Sequence, residues 1–192
     1  MPFYTIIAGV NGVGKSSLTG VLKTQRRDLG YVIDVDSIAA KNKCSAIDAG
    51  KTALRKIDHF LTAEISFSQE TTLSGRQVEK TAKIAKEKGY TVRLLYIALN
   101  TSEECIERIK NRVEKGGHSI DSEDVLRRHN KRFEDLIRIL PYCDEARFFD
   151  NENGFIEVGE HYNGEIVARG DYRPAWLAKL IEQFEKAYQA LQ

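Results

Sequence analysis

The sequence is poor in the features that mark secreted and disordered proteins. It has three prolines, three cysteines and one tryptophan among 192 residues, and its 29 basic side chains nearly balance 28 acidic ones. The cysteines, Cys44, Cys105 and Cys143, are widely separated and odd in number, so we expect packing residues in a reducing compartment rather than a disulfide framework. With 42% apolar residues, the chain has the composition of one ordinary globular domain.

Long apolar runs and an excess of one charge are also missing. No stretch approaches the roughly 18 residues of a membrane-spanning helix, and the opening residues 2–10 are too short and lack the basic start of a signal peptide. A net charge of +1 argues against a general nucleic-acid or membrane-surface binder, because such proteins depend on a cationic excess. We therefore expect a cytoplasmic protein that acts on neither nucleic acid nor membrane.

Apolar strands alternate with amphipathic helices along most of the chain. The strands are predicted at residues 3–10, 31–35, 65–70, 91–99 and 146–149. With helices between them, this order is typical of a doubly wound α/β sheet, whose ligands bind at the carboxyl ends of the strands.

The end of the chain has a different pattern. Two short strands joined at Asn163-Gly164 predict a hairpin, and a helix is predicted over 174–190. The prediction is a single α/β domain over residues 1–192 with a five-stranded, mostly parallel sheet flanked by helices. A lid-like segment is expected at about 108–138, and a small C-terminal β-hairpin and helix at about 151–192.

A phosphate-binding loop lies between the first predicted strand and the first helix. Residues 9–16 match G-x-x-x-x-G-K-[ST] without deviation, which makes this a P-loop NTPase fold. The glycines let backbone N–H groups surround the phosphates, Lys15 adds a cation, and Ser16 is the expected protein ligand of Mg²⁺. The alternative is a glycine-rich turn that binds no nucleotide, but such a turn would not require a lysine at position 15. The predicted nucleotide-binding residues are Gly9, Val10, Asn11, Gly12, Val13, Gly14, Lys15, Ser16 and Ser17.

The absence of several motifs excludes other classes of P-loop protein. The GTPase signatures N-K-x-D and D-x-x-G are missing, and the third strand lacks the four apolar residues and acidic pair of ABC and AAA proteins. Carboxylates follow strands two and three, and an arginine-rich helical segment follows strand four. This set is typical of a small-molecule kinase.

Four blocks of sequence are more specific than the phosphate loop alone. They are residues 9–16, D-V-D-S-I-A at 34–39, F-S-Q-E-T-T-L-S-G-R at 67–76, and Arg112-Val113 with Gly116-Gly117-His118 and Arg127-Arg128. Together they resemble the zeta-toxin family of P-loop kinases, in particular its chromosomal branch described as ABC-type ATPases. The resemblance implies an ATP- or GTP-dependent, Mg²⁺-requiring kinase that phosphorylates a hydroxyl of UDP-N-acetylglucosamine. It also implies an antitoxin-like inhibitor protein as a partner.

The resemblance assigns two carboxylates to the chemistry beside Lys15. Asp36 matches the general base that accepts the proton of the acceptor hydroxyl, and Glu70 matches an acidic residue that holds a Mg²⁺-bound water or a substrate group. The residues alone leave alternatives open. Asp36 is also placed to cap a helix, and Glu70 to be a solvated residue at the end of a strand.

The lid-like segment supplies the candidate cations. The resemblance places Arg112, Arg127 and Arg128 near the transferring phosphoryl group, where guanidinium groups stabilise developing charge. Because neighbouring residues on a helix point about 100° apart, one of Arg127 and Arg128 alternatively pairs with an acid on the solvent side. The residues expected to line the acceptor pocket are Thr71, Thr72, Arg76 and His118.

Two other functions fit the same residues. One is a kinase for another alcohol, such as a nucleoside, an antibiotic or a polynucleotide 5′-hydroxyl. The other is a regulatory module in which a nucleotide closes the lid without phosphoryl transfer. Asp36 distinguishes them, because a switch needs Lys15 and Ser16 but no base beside the acceptor pocket.

Overall fold

Strands and helices alternate through most of the chain in the computed structural model, which describes residues 1–189. The last residue of the predicted helix 174–190 and the predicted domain limit at 192 lie outside the described residues. The elements are β1 (Phe3–Ala8), α1 (Lys15–Gln25), β2 (Tyr31–Ile33), α2 (Val35–Asn42), α3 (Ala46–Thr62), β3 (Phe67–Thr71), α4 (Gln77–Glu87), β4 (Thr91–Ala98), α5 (Ser102–Glu114), α6 (Ser122–Ile139), a 3₁₀ turn (Leu140–Tyr142), β5 (Glu145–Asp150), β6 (Ile156–Tyr162), β7 (Glu165–Ala168) and α7 (Ala175–Gln189).

The strands form one sheet in the order β2-β3-β1-β4-β5-β6-β7. The first five are mutually parallel, so their carboxyl ends lie at the same edge. Ala8, the last residue of β1, is in register with Thr71 of β3 and Tyr96 of β4. The strand order switches at β1, because β3 and β4 lie on opposite sides of it, and ligands bind at such a switch point. The predicted α/β class is confirmed.

The predicted number of strands was wrong, because the C-terminal hairpin is part of the sheet. β6 pairs antiparallel with β5, and β7 pairs antiparallel with β6. Without the hairpin, β5 would present an open edge of unpaired backbone groups, and pairing with β6 satisfies them. The sheet therefore has seven strands, five parallel and two antiparallel.

Helices cover both faces of the sheet, which explains why the central strands are almost continuously apolar. On one face, Tyr4 and Ile6 of β1 pack with side chains from α3, α4, α6 and α7. On the other face, Ile7 packs with Leu18 of α1 and Cys105 of α5. Among the described helices, none combines the length and apolar character needed to span a bilayer.

A buried polar contact ties the C-terminal helix to the end of β5. Asp150 is fully buried, and its carboxyl oxygens accept hydrogen bonds from the Trp176 indole N–H at 2.8 Å and the Glu152 backbone N–H at 2.8 Å. Trp176 itself is almost completely buried, and its ring packs on Tyr96 and Phe133. The C-terminal unit is thus anchored to the strand that precedes the loop at 151–155.

Replacing Trp176 with phenylalanine is expected to destabilise the protein by about 1–3 kcal/mol. The change keeps an aromatic ring but leaves one buried carboxyl oxygen of Asp150 without its donor. Urea unfolding followed by circular dichroism measures the loss. Tyr188→Phe on the exposed side of the same helix is the control, and equal stability of the two variants would contradict the role of the indole N–H.

Candidate active site

The phosphate loop connects β1 to α1 and depends on backbone conformations that favour glycine. Gly12 and Gly14 have φ angles of 89° and 98°. A Cβ atom on Gly12 would lie 2.3 Å from the Cys105 carbonyl oxygen, so the loop rests directly on α5. The first turn of α1 has no side-chain cap, which leaves its N–H groups available to an anion. The side chains of Val10 and Val13 are buried, so their contribution to a phosphate site is through the backbone.

Lys15 is held against the loop from which it projects. Its ammonium group donates to the carbonyl oxygens of Gly9 at 2.9 Å and Val10 at 3.1 Å. Burial lowers the pKa of Lys15 to about 8, and the nearby carboxylates of Glu70 and Asp36 offset only part of this shift. A phosphate ligand would favour the charged form again, because it brings negative charge to the same position.

This pKa predicts that nucleotide affinity falls at high pH. Above pH 8 the free protein loses the Lys15 proton, and nucleotide binding must recover it, so Kd for Mg·ATP is expected to rise by up to about tenfold per pH unit. Below about pH 7.5 the affinity should be constant. Titration calorimetry at pH 8.5 in two buffers of different ionisation enthalpy measures the proton taken up. Lys15→Met is the control without uptake, and a constant Kd up to pH 9.5 would refute the prediction.

Ser16 and Glu70 meet across the mouth of the loop. The Ser16 hydroxyl donates to Glu70 Oε2 at 2.7 Å, although the two residues are 54 positions apart. The contact forms because β3 lies beside β1, with Ile7 in register with Glu70. Glu70 is therefore not isolated at the end of its strand, although its contact with Ser16 is exposed. A hydroxyl and a carboxylate side by side are oxygen donors of the kind that Mg²⁺ prefers, so these residues fit the ion.

Asp34, not Asp36, caps the helix that follows β2. The Asp34 carboxylate accepts hydrogen bonds from the Asp36 backbone N–H at 3.0 Å and from the Ser37 hydroxyl at 2.7 Å. The predicted strand 31–35 is shorter for the same reason, because β2 ends at Ile33 where the cap begins. Asp36 lies in the first turn of α2, not at the end of the strand, and its side chain lines the cleft. The capping alternative for Asp36 is thus excluded.

The two neighbouring arginines of α6 lie in different environments. Arg128 lines the cleft, and its guanidinium donates to Asn11 Oδ1 in the phosphate loop at 2.5 Å. Arg127 has 59% of its side chain exposed and donates to Asp124 at 2.5 Å on the surface. Arg128 also lies 3.4 Å from Asp124, but it is mostly buried. The structure thus brings Arg128 to the site and leaves Arg127 outside it.

The other predicted pocket residues divide in the same way. Thr71 and Thr72 line the cleft, as do Arg112 and His118, and the Arg112 guanidinium donates to the His118 carbonyl oxygen at 2.6 Å. Arg76 does not line this cleft. It lies at the start of α4, where its largely exposed side chain pairs with Glu79. Arg76 follows a turn at Ser74-Gly75 that leads the chain away from the cleft, and sequence proximity to Thr72 does not reveal this.

The cleft is also lined by eight residues that were not among the predicted site residues: Asp34, Val35, Ser37, Ala40, Gln69, Arg108, Ile109 and Asn151. Asn151 donates from its side-chain amide to the Val13 carbonyl oxygen at 2.8 Å, and Arg108 donates to the Asn151 carbonyl oxygen at 2.7 Å. Asn151 thus connects the loop after β5 to the phosphate loop, and Arg108 connects α5 to the loop after β5. Asn151 follows a parallel strand directly, and the rule that ligands bind at the carboxyl ends of strands could have identified it. Arg108 is the first residue of the predicted lid-like segment, but the sequence indicates it only as an alternative to the other lid arginines.

These groups surround one cleft of 790 Å³ at the carboxyl edge of the parallel strands. Its volume is within the range of ligand sites in proteins. The predicted residues that line it are Asn11, Gly12, Gly14, Lys15, Ser16, Ser17, Asp36, Glu70, Thr71, Thr72, Arg112, His118 and Arg128.

Comparison with known proteins agrees with this arrangement. An uncharacterized protein of Haemophilus influenzae is 38% identical over 124 residues, which are 62% of this chain and 86% of that protein. A structure from the PezAT chromosomal toxin–antitoxin system of Streptococcus pneumoniae has a TM-score of 0.66 at 15% identity, covering 100% of this chain and 87% of that one. The AvrRxo1-ORF1:-ORF2 complex with ATP has a TM-score of 0.63 at 15% identity, covering 97% and 76%. At these identities the two structures show a shared fold.

The family itself is given by a match in sequence. The family described as "Zeta toxin" matches residues 39–139, just over half of the chain. The phosphate loop lies before the matched segment, so the two signals come from different residues. The chain belongs to the zeta-toxin family of P-loop kinases.

Proposed function

We propose that this protein transfers the γ-phosphoryl group of ATP to a hydroxyl of a nucleotide sugar such as UDP-N-acetylglucosamine. The observation that carries the proposal is the Asp36 carboxylate, which has no capping role and lines the same cleft as Lys15 and the phosphate loop. A base opposite a phosphate loop is what a kinase needs and what a nucleotide-dependent switch does not. Family membership supports the kinase activity, and the nucleotide sugar comes from the family resemblance.

The donor side of the cleft holds the triphosphate. The N–H groups of residues 12–16 and the Lys15 ammonium group bind the β- and γ-phosphates. The AvrRxo1 complex was solved with ATP, which supports ATP as the donor. GTP is the alternative donor, and competition between the two nucleotides in a transfer assay would separate them.

Ser16 and Glu70 are the residues that would hold Mg²⁺. The Ser16 hydroxyl would bind the ion directly, and Glu70 would bind through one of its waters. When bound, the ion supplies positive charge that neutralises the phosphate oxygens. The hydrogen bond between Ser16 and Glu70 already orients both oxygens toward the phosphate loop.

The remaining residues act on the acceptor. The acceptor oxygen forms a bond to the γ-phosphorus while the bond from that phosphorus to the bridging oxygen breaks, and the hydroxyl proton passes to the Asp36 carboxylate. Arg128 meets the charge that spreads over the transferring phosphoryl oxygens. The Thr71 hydroxyl accepts from the Leu73 backbone N–H and keeps its proton to donate to the acceptor, whereas the Thr72 hydroxyl donates to Ser74 and offers the acceptor a lone pair.

A transfer assay with γ-labelled ATP and Mg²⁺ tests the proposal. The acceptor panel holds UDP-N-acetylglucosamine, other nucleotide sugars, nucleosides, aminoglycosides and an oligonucleotide with a 5′-hydroxyl. Label on UDP-N-acetylglucosamine supports the proposal. Label on another alcohol supports kinase activity but refutes a nucleotide sugar as the acceptor. Tight Mg·ATP binding without transfer to any acceptor would favour the regulatory module.

We also propose that an antitoxin-like protein inhibits this kinase. A structural neighbour from a chromosomal toxin–antitoxin system supports the idea. If the proposal is correct, expression of the wild-type chain alone should arrest bacterial growth, and expression of the Asp36→Asn variant should not. If cells that express the active wild-type enzyme grow normally, the proposal of an inhibitor protein is contradicted.

A further inference from the structure

The segment that follows Thr71 and Thr72 leaves the cleft through an unusual backbone turn. Leu73 has a φ angle of 62°, in the left-handed region that side chains other than glycine rarely adopt. The Leu73 side chain is almost completely buried, so this conformation places an apolar anchor directly after two cleft residues. Such a conformation persists only where the surrounding structure holds it.

One arginine from a distant part of the chain holds this turn. The Arg138 guanidinium, at the end of α6, donates to the Gly75 carbonyl oxygen at 2.8 Å and to the Leu73 carbonyl oxygen at 3.3 Å. Both bonds come from the Nη2 atom, and the two carbonyl groups flank Ser74. The other guanidinium nitrogens face carboxylates on α6 and α4, so one planar group joins three segments. A lysine ammonium could not replace this geometry, because it is a compact point charge.

Two carboxylates fix the arginine itself. Arg138 donates to Asp135 Oδ1 at 2.8 Å on its own helix, and its Nε atom lies 3.1 Å from Glu79 Oε2 on α4. The Arg138 and Glu79 side chains are both about one-fifth exposed, and Asp135 is less exposed still. Ion pairs that are shielded from water in this way hold their geometry better than pairs on the surface.

The same helix carries the arginine that contacts the phosphate loop. Arg128 and Arg138 are ten residues apart on α6, which corresponds to about 15 Å along the helix axis. Arg128 contacts Asn11 on the side of the cleft where the phosphate donor is expected, and Arg138 donates to the turn at 73–75, next to Thr71 and Thr72 on the acceptor side. A single rigid helix thus sets the separation between the two sides of the cleft.

We propose that Arg138 is a positioning residue that holds the 72–76 segment, and through it Thr71 and Thr72, in the orientation that receives the acceptor. Arg138 does not touch the substrate. The expected effect on acceptor binding rests on the proposed function, whereas the expected effect on the conformation of residues 72–76 does not. The role of Arg138 and the proposed substrate can therefore be refuted independently.

The test compares Arg138→Met and Arg138→Lys in the full chain. Methionine keeps an apolar side chain but has no hydrogen-bond donors. Lysine keeps the positive charge for Glu79 and Asp135 but lacks the planar guanidinium group. Hydrogen exchange followed by mass spectrometry should show residues 72–76 exchanging at least about tenfold faster in Arg138→Met, with an intermediate rate in Arg138→Lys. Amides of the phosphate loop should be unchanged. Arg147→Met, an exposed arginine paired with Glu157 on β6, is the matched control.

The kinetic arm uses UDP-N-acetylglucosamine as the acceptor probe. Arg138→Met is expected to raise its KM about tenfold with a smaller change in kcat and an unchanged Kd for Mg·ATP. A purely structural arginine would instead speed exchange throughout the protein and leave KM unchanged, and that outcome overturns the proposal. Unchanged exchange at 72–76 also overturns it. If the wild-type protein does not phosphorylate this acceptor, the proposed substrate fails, and the exchange arm still decides the role of Arg138.

Discussion

Asp36→Asn is expected to lower the rate of phosphoryl transfer about 10² to 10⁴-fold while Kd for Mg·ATP and the melting temperature stay near wild type. The amide has the size of the carboxylate but cannot accept the proton of the acceptor hydroxyl. Loss of the helix cap does not complicate the result, because Asp34 provides the cap. Initial rates of transfer, calorimetry with Mg·ATP and a thermal melt measure the three quantities.

Asp34→Asn is the matched control for this experiment. It removes one negative charge from the same side of the cleft, and asparagine caps a helix about as well as aspartate. Asp34 also lines the cleft, but its carboxylate is engaged in capping α2, so the turnover of this variant should stay within about threefold of wild type. Equal losses in the two variants would indicate an effect of charge rather than of proton transfer. Near-normal turnover in Asp36→Asn would refute the general-base mechanism.

The second large effect is expected at the arginine of α6 that reaches the phosphate loop. Arg128→Ala should lower kcat by a factor on the order of 10³ with a smaller change in affinity for Mg·ATP, because its guanidinium meets charge that develops in the transition state. Its hydrogen bond to Asn11 places it on the donor side of the cleft. Steady-state kinetics with saturating acceptor and calorimetry with Mg·ATP separate the two parameters.

Arg127→Ala provides the comparison within the same turn of helix. Arg127 is exposed and paired with Asp124, and a surface ion pair of this kind contributes at most about 1 kcal/mol to stability. We therefore expect its kcat to remain within about threefold of wild type. Similar, negligible effects from both substitutions would move the role to another cleft arginine, with Arg112 and Arg108 as the next candidates.

Features encoded within a few neighbouring residues were predictable from the sequence. The phosphate loop needs glycines and a lysine at fixed spacing, so its position followed from residues 9–16 alone. The hairpin at Asn163-Gly164 depends on local backbone preferences. The alternation of strands and helices gave the α/β class because each element carries its own periodicity.

Choices between nearby residues were decided only by the tertiary structure. Asp34 and Asp36, like Arg127 and Arg128, are similar in type and close in sequence, and their different roles depend on which groups lie opposite them in the fold. Arg76 stands four residues from Thr72 yet does not line the cleft, because its exposed side chain pairs with Glu79 at the start of α4.

The partners in contacts across long sequence separations were decided by the tertiary structure. Asn151 contacts Val13 because the parallel strands bring their carboxyl ends to one edge, and Arg138 contacts Gly75 because α6 packs beside the segment after β3. The sequence by itself predicted a phosphate-binding loop and determined where the loop lies, since a phosphate loop is a local backbone structure. The tertiary structure decided which side chains line the cleft. The direction of a side chain on a helix or strand relative to the cleft depends on how that element packs against its neighbours.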